Sequence, residues 1–127
     1  HWTDGRGGIY NPNRREALSL IKVRDSVDQV MEDIRGDTGK EVRLVVTCAS
    51  EKYSALKIDD FRRRLDDPEN TYLLAFGTAW GLTDEFIAAA DFVLAPIKGR
   101  DGYNHLPVRA AAAIILDRLL GERGPLT

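Results

Sequence analysis

The sequence has one cysteine, Cys48, and two histidines, His1 and His105. A single cysteine excludes an intrachain disulfide and fits a reducing compartment, so a cytoplasmic location is expected. The same scarcity of sulfur and imidazole leaves no ligand set for zinc, and no metal site is expected. No apolar run approaches the roughly 20 residues of a membrane-spanning helix, so no membrane partner is expected. The opening HWTDGRGGIYNPN is polar and Gly-rich, unlike a signal peptide. Neither sign of charge dominates: 18 Lys and Arg stand against 20 Asp and Glu, a net charge of -2. Any contact with RNA must therefore use local basic clusters. The patterns G-x-G-x-x-G, G-x-x-x-x-G-K-[ST] and G-x-S-x-G are all absent. Dinucleotide, P-loop and nucleophile-elbow readings lose their main support with them.

What is present is an alternation. The 127 residues suit one domain. The chain starts at His1 rather than Met, which suggests a segment of a longer or processed protein. After an irregular lead-in to Asn13, Leu18 to Val23 (LSLIKV) reads as a short strand. Asp25-Ser26 then caps a helix from Val27 to about Arg35, with Val27, Val30, Met31 and Ile34 on one face and Gly36 to Gly39 ending it. Val42 to Thr47 is a β-branched run of the buried-strand type. A helix follows over Ile58 to Leu65, then a strand over Tyr72 to Phe76. Thr83 is the expected N-cap of a helix over Asp84 to Ala90. Phe92 to Ala95 is the fourth strand, and Pro107 to Leu120 the last helix, stopped by Gly121. The order β-α-β-α-β-α-β-α predicts an α/β fold, a parallel sheet with helices on both faces.

Two glycine-bearing loops follow two of these strands, where ligands sit in parallel α/β sheets. In Gly77-Thr78-Ala79-Trp80-Gly81-Leu82, the glycines let backbone N–H groups approach a ligand, and Trp80 offers a stacking face. The competing reading is a tight strand-to-helix turn with Trp80 capping the core. The loop from Pro96 to Leu106 is longer than a connection needs. It gathers Lys98, Arg100, Tyr103, Asn104 and His105 before a helix N-terminus, an end that favours anions. Its competing reading is a solvated loop with a capping Asn. Cys48 ends a buried strand and reads as packed rather than nucleophilic. Arg62-Arg63-Arg64 reads as an exposed helix face or, alternatively, a phosphate-contact patch. The four alanines at 110 to 113 give the last helix a thin waist, and Ile114, Ile115, Leu116, Leu119 and Leu120 make it apolar on more than one face. One side suits its own sheet and the other a second subunit.

GTAWGL after an apolar strand, followed by DFVLAPIKGRDGYNHLPVRAAAAIILDRLLG, resembles the SAM-dependent RNA methyltransferases of the SPOUT class. The nearest group is related to the C-terminal part of tRNA (guanine-N1)-methyltransferase-like proteins. HW..G.GG.YNPNRREALSLIKV resembles that group too, so the likeness covers nearly the whole chain. It implies a C-terminal trefoil knot, a homodimer through the last helix, S-adenosyl-L-methionine (SAM) as cofactor and an RNA substrate, tRNA or rRNA. It also implies a single SPOUT-like SAM-binding domain over residues 1–127 that lacks the N-terminal β/α elements of the family domain.

The resemblance further implies three cofactor-contacting loops. The first is carried by Thr47 and Ala49. The second is carried by Phe76, Gly77, Thr78, Trp80 and Gly81. Leu94, Pro96 and Ile97 carry the third, with Asn104, Leu106 and Val108. For the reacting centre it points to Arg100 and Arg109 to hold phosphate or polarise the base. Asn104 and His105 would orient the loop or accept a proton. Two departures stand out. The second loop has Thr78-Ala79-Trp80 where related enzymes carry an acidic residue, and no Asn- and Arg-containing first motif precedes it. A non-catalytic knotted dimerisation or RNA-binding module is the alternative.

Overall fold

The computed structural model describes residues 12–48, 55–78, 81–98, 100 and 106–122. The chain divides into two compact units, His1–Asp33 and Ile34–Thr127.

In the first unit, α1 spans Pro12–Ser19, with Pro12 at its first position, where a missing N–H costs nothing. The strand expected at Leu18 to Val23 does not form. Leu18 and Ser19 belong to α1, and the chain is irregular from Ile21 to Arg24. The Leu20 and Ile21 N–H groups bond back to the Ala17 and Leu18 carbonyls at 3.2 and 3.1 Å. Those bonds close a turn where extended pairing was expected, and a lone strand has nothing to satisfy its backbone. The helix α2, Val27–Thr38, begins in this unit and ends in the second, and it starts where Ser26 was expected to cap it. The Ser26 hydroxyl accepts the Gln29 N–H at 3.2 Å, and the Gln29 side chain accepts the Asp25 N–H at 3.1 Å. This reciprocal arrangement resembles a capping box. The helix runs past Gly36 and stops only at Gly39 (φ 67°), whose N–H bonds the Arg35 carbonyl at 2.9 Å. Glycine takes that left-handed conformation without a Cβ clash, so Gly39 and not Gly36 is the stop.

The second unit holds a parallel sheet of three strands among the described residues: β1 (Glu41–Thr47), β2 (Asn70–Ala75) and β3 (Phe92–Leu94), in the order β2-β1-β3. The helices α3 (Ile58–Arg64) and α4 (Asp84–Ala89) join consecutive strands, and α5 (Val108–Leu120) follows the last. The parallel α/β arrangement is as expected, with three strands in place of four. Register pairs Val42 with Thr71 and Val46 with Ala75 on one edge of β1, and Val46 with Val93 on the other. Leu44, Val45 and Val46 are consecutively buried, which requires cover on both faces of β1. On the Val45 face, Phe61 of α3, Leu94 of β3 and Ile115 and Leu119 of α5 close into one cluster. Phe61 meets Tyr72 edge-on at 5.4 Å between ring centroids.

The amino-terminal end of the sheet is tied by polar contacts. Asp91 continues β3 as a pseudo-rung: its N–H donates to the Leu44 carbonyl at 2.9 Å, and its carboxylate accepts the Leu44 N–H at 2.7 Å. Arg43 pairs with Asp91 at 3.8 Å and donates to the Asn70 side chain at 3.3 Å. The Asp67 carboxylate, in the turn before β2, accepts from the Glu69 N–H at 2.8 Å and the Asn70 side chain at 2.7 Å. The Glu69 backbone hydrogen bond, then the Asn70 bond, hold its carboxyl below the ordinary range.

A carboxyl depressed by folding stabilises the fold above its unfolded pKa, and that contribution disappears as pH falls through the folded value. Asp67→Asn is therefore expected to lower the urea midpoint at neutral pH. The difference from wild type should shrink as pH drops below about 4, as read by denaturation at a series of pH values.

Candidate functional site

Parallel strands bring their carboxyl ends to one edge, so the segments after β1, β2 and β3 emerge side by side. Their order contributes as well. The chain steps from β1 to β2 on one side, then crosses to β3 on the other, and the ends of neighbouring strands diverge around β1. The Thr47 hydroxyl, expected in the first cofactor loop, donates to the Ala75 carbonyl at 3.2 Å. It pins the exit of β1 to that of β2. Ala49 lies outside the described residues.

The loop after β2 is built around backbone contact. Thr78 and Gly81 form an antiparallel bridge, closed by Gly81 N–H to Thr78 carbonyl at 2.7 Å. Gly81 has φ 73°. A Cβ on Gly77 would lie 2.6 Å from the Gly81 carbonyl carbon and 2.8 Å from the Leu82 nitrogen. Two glycines are thus required for two reasons: Gly81 for its left-handed backbone, Gly77 because a second backbone occupies the place of a side chain. Ala79 and Trp80 lie outside the described residues. Thr83 then caps α4 as expected, its hydroxyl accepting the Phe86 N–H at 3.1 Å.

After β3, Leu94 is 1% exposed and belongs to the core, with its backbone set between Thr47 of β1 and Leu56, so it can shape the edge only from beneath. Phe76 and Ile97 pack against the same core from the loops, and Pro96 is half-buried. From Phe76 to Thr78 and from Leu94 to Ile97 no charged residue occurs. The cations Lys98, Arg100 and Arg109 follow on the exposed surface, and Leu106 and Val108 are exposed at the start of α5. Asn104 and His105 lie outside the described residues. Among the described residues the loops after β2 and β3 are uncharged and largely apolar up to Leu82 and Ile97. That chemistry suits a flat heteroaromatic ring better than a bare phosphate. Among the described residues no group of three His, Cys, Asp or Glu side chains is placed to hold a metal. No helix there is long and apolar enough to cross a membrane.

The arginine run is neither a uniform exposed face nor a single patch. Arg63 pairs with Asp60 within α3. Arg64 stacks its guanidinium over Phe92 at 4.6 Å. Arg62 donates to the Arg118 and Gly121 carbonyls at the end of α5. No signal in the sequence distinguishes the three, because their partners are 28 to 59 residues away or one turn back.

Comparison with known proteins supplies an independent line. Residues 1–121 match the model of a family described as SAM-dependent RNA methyltransferase. The chain is 47% identical over 122 residues to a protein of Nitratidesulfovibrio vulgaris named tRNA (guanine-N(1)-)-methyltransferase. It is 43% identical over 122 residues to a protein of the same name from Oleidesulfovibrio alaskensis. Each alignment covers 96% of this chain and 28% of the relative. An uncharacterized protein of Aquifex aeolicus is 35% identical over 96% of this chain and 60% of its own length.

Gly77→Ala is expected to destabilise the second unit by about 1–3 kcal/mol, because its methyl meets backbone and not a movable side-chain tip. Thermal and urea unfolding of the variant checks this.

Proposed function

Because the chain belongs to the family of SAM-dependent RNA methyltransferases, we propose that it is the cofactor-binding domain of an RNA-methylating enzyme, with SAM held at the carboxyl edge of the sheet. The observation that supports this reading is the loop after β2, where Gly77 and Gly81 let backbone pack on backbone and no residue from 76 to 83 is charged. An adenine ring needs such a seat: amide groups for its nitrogens and apolar walls for its faces. Thr47, Gly77, Ile97 and Leu106 border it from the strand exits and the approach to α5. Ala49, Trp80 and Asn104 are assigned to the same seat from the sequence.

When bound, SAM supplies an electrophilic methyl group on a sulfonium. The chain's own residues have three tasks: orienting the acceptor, excluding water and taking up a proton. Arg100 and Arg109 are exposed cations suited to RNA phosphate. Asn104 and His105 orient the acceptor or take up its proton. The names of the two Desulfovibrio-type relatives make tRNA the first substrate to test. A cytoplasmic location goes with that substrate.

Two further features belong to this reading. One is a trefoil knot. Leu56, on the connection from β1 to β2, pairs in parallel with Leu94 of β3, so that connection runs alongside the strand leading to α5. The other is a homodimer through α5, which turns Ile115 and Leu119 into the core and leaves Leu116 and Leu120 47% and 71% exposed. Val108, Ala112, Leu116 and Leu120 recur at four-residue spacing, an apolar stripe suited to the same stripe of a second copy.

Calorimetric titration with SAM and with S-adenosylhomocysteine is expected to give one micromolar site per chain, lost in Trp80→Ala. Absence of binding to this chain would overturn the cofactor reading. Leu116→Glu with Leu120→Glu is expected to yield a monomer in sedimentation analysis, and a dimer that survives both charges removes α5 from the interface.

A further inference from the structure

The end of α5 lacks the usual backbone stop. Gly121 sits at φ -71°, outside the left-handed region. It is glycine for a different reason: a Cβ there would lie 2.5 Å from the Asp117 carbonyl oxygen. The last carbonyls of a helix have no partner within it and must find one elsewhere. Here the partner is a cation from another helix. Arg62 of α3 donates from Nη1 to the Arg118 carbonyl at 2.6 Å and from Nη2 to the Gly121 carbonyl at 3.0 Å. Both bonds are charge-assisted, and the guanidinium faces the negative end of the helix dipole.

The rest of α5 is held less directionally. Its buried side chains, Ile115 and Leu119, both lie in the carboxyl-terminal half. Apolar burial resists removal of the helix but has no strong preference along its axis. The amino-terminal half carries Ala110 to Ala113, too small to interlock with a neighbour. The two forked bonds of Arg62 are directional and fix an axial position. A helix of 13 residues is a stiff rod about 20 Å long, so a shift at one end appears at the other.

We propose that Arg62 is a positioning residue for the cofactor seat: by gripping the end of α5 it sets where Leu106, Pro107 and Val108, which lead into the helix, stand. This rests on the SAM reading above.

The test uses isotope-labelled chain carrying Arg62→Met, which keeps the packing of the stem, and Arg62→Lys, which keeps the charge without the fork. Amide NMR shifts are read along α5, and SAM affinity by calorimetry. Asp67→Asn, at the other end of the sheet, is the control for lost stability. Arg62→Met is expected to move the amide signals of α5 as far as Val108 to Ala110 while sheet amides stay in place. SAM affinity should fall about tenfold, within the usual range of coupling between linked sites, with partial recovery in Arg62→Lys and no change in Asp67→Asn. Shifts confined to the last turn of α5, or an unchanged SAM affinity, overturn the proposal. If Arg62→Met fails to fold, Arg62→Lys decides by the same two readouts. A wild-type chain that binds no SAM overturns the cofactor reading and, with it, Arg62's role at the seat. The amide shifts then decide separately whether Arg62 sets the helix.

Discussion

The larger unit is organised by the burial of β1 on both faces and its pairing along both edges. Leu44, Val45 and Val46 lose their access to water together. Over Leu44 to Val46 the strand is paired on both edges and has no solvent face, so its neighbours there are fixed by necessity. β2 and β3 must flank it, and helices must cover it. On the Val45 face that cover is Phe61 from α3 with Ile115 and Leu119 from α5. Five buried side chains from four elements meet at this point, and each segment of the unit is placed by its distance from it.

The two ends of the sheet differ in kind. At the amino end, charged and amide side chains stitch the strands together: Asp91 substitutes for a rung of β-pairing, and Arg43 bridges toward both neighbours. At the carboxyl end the ties are nearly all backbone, apart from the Thr47 hydroxyl on the Ala75 carbonyl. Among the described residues, the segments after β2 and β3 carry no charge before Asp84 and Lys98. A neutral, glycine-lined edge can accept a neutral ring without desolvating an ion, whereas buried charge would oppose it. The family membership and the chemistry of this edge point the same way.

α5 joins these two themes. It contributes core at one end and leads out of the candidate site at the other. Its small amino-terminal half leaves room for a close approach, and its carboxyl end is gripped by Arg62. A helix held at one end transmits position to the other, and that is the route by which the proposed grip of Arg62 would reach the candidate site. The run of three arginines shows how little a charge cluster says by itself. One side chain makes a local pair, one stacks on an aromatic ring, and one caps a distant helix.

Much of the architecture was legible in the chain because it rests on local chemistry. The β-branched run at Val42 to Thr47, the Ser26 and Thr83 caps and the helix over Ile58 to Arg64 follow from side-chain shape and hydrogen-bonding reach within a few residues. The sequence was misleading where a local pattern needed a distant partner. LSLIKV has strand composition, yet in the described residues its backbone turns back on α1. Of the two glycines expected to end α2, Gly36 stays helical and Gly39 adopts the required backbone. By itself the sequence determined the parallel α/β alternation, the glycine positions of the candidate loop and the resemblance that identifies the family. Only the tertiary structure decided why Gly77 must be glycine, that Leu94 is core, and that Arg62 of α3 grips the end of α5. Each of these depends on atoms brought together from far along the chain, and no local spacing encodes such contacts.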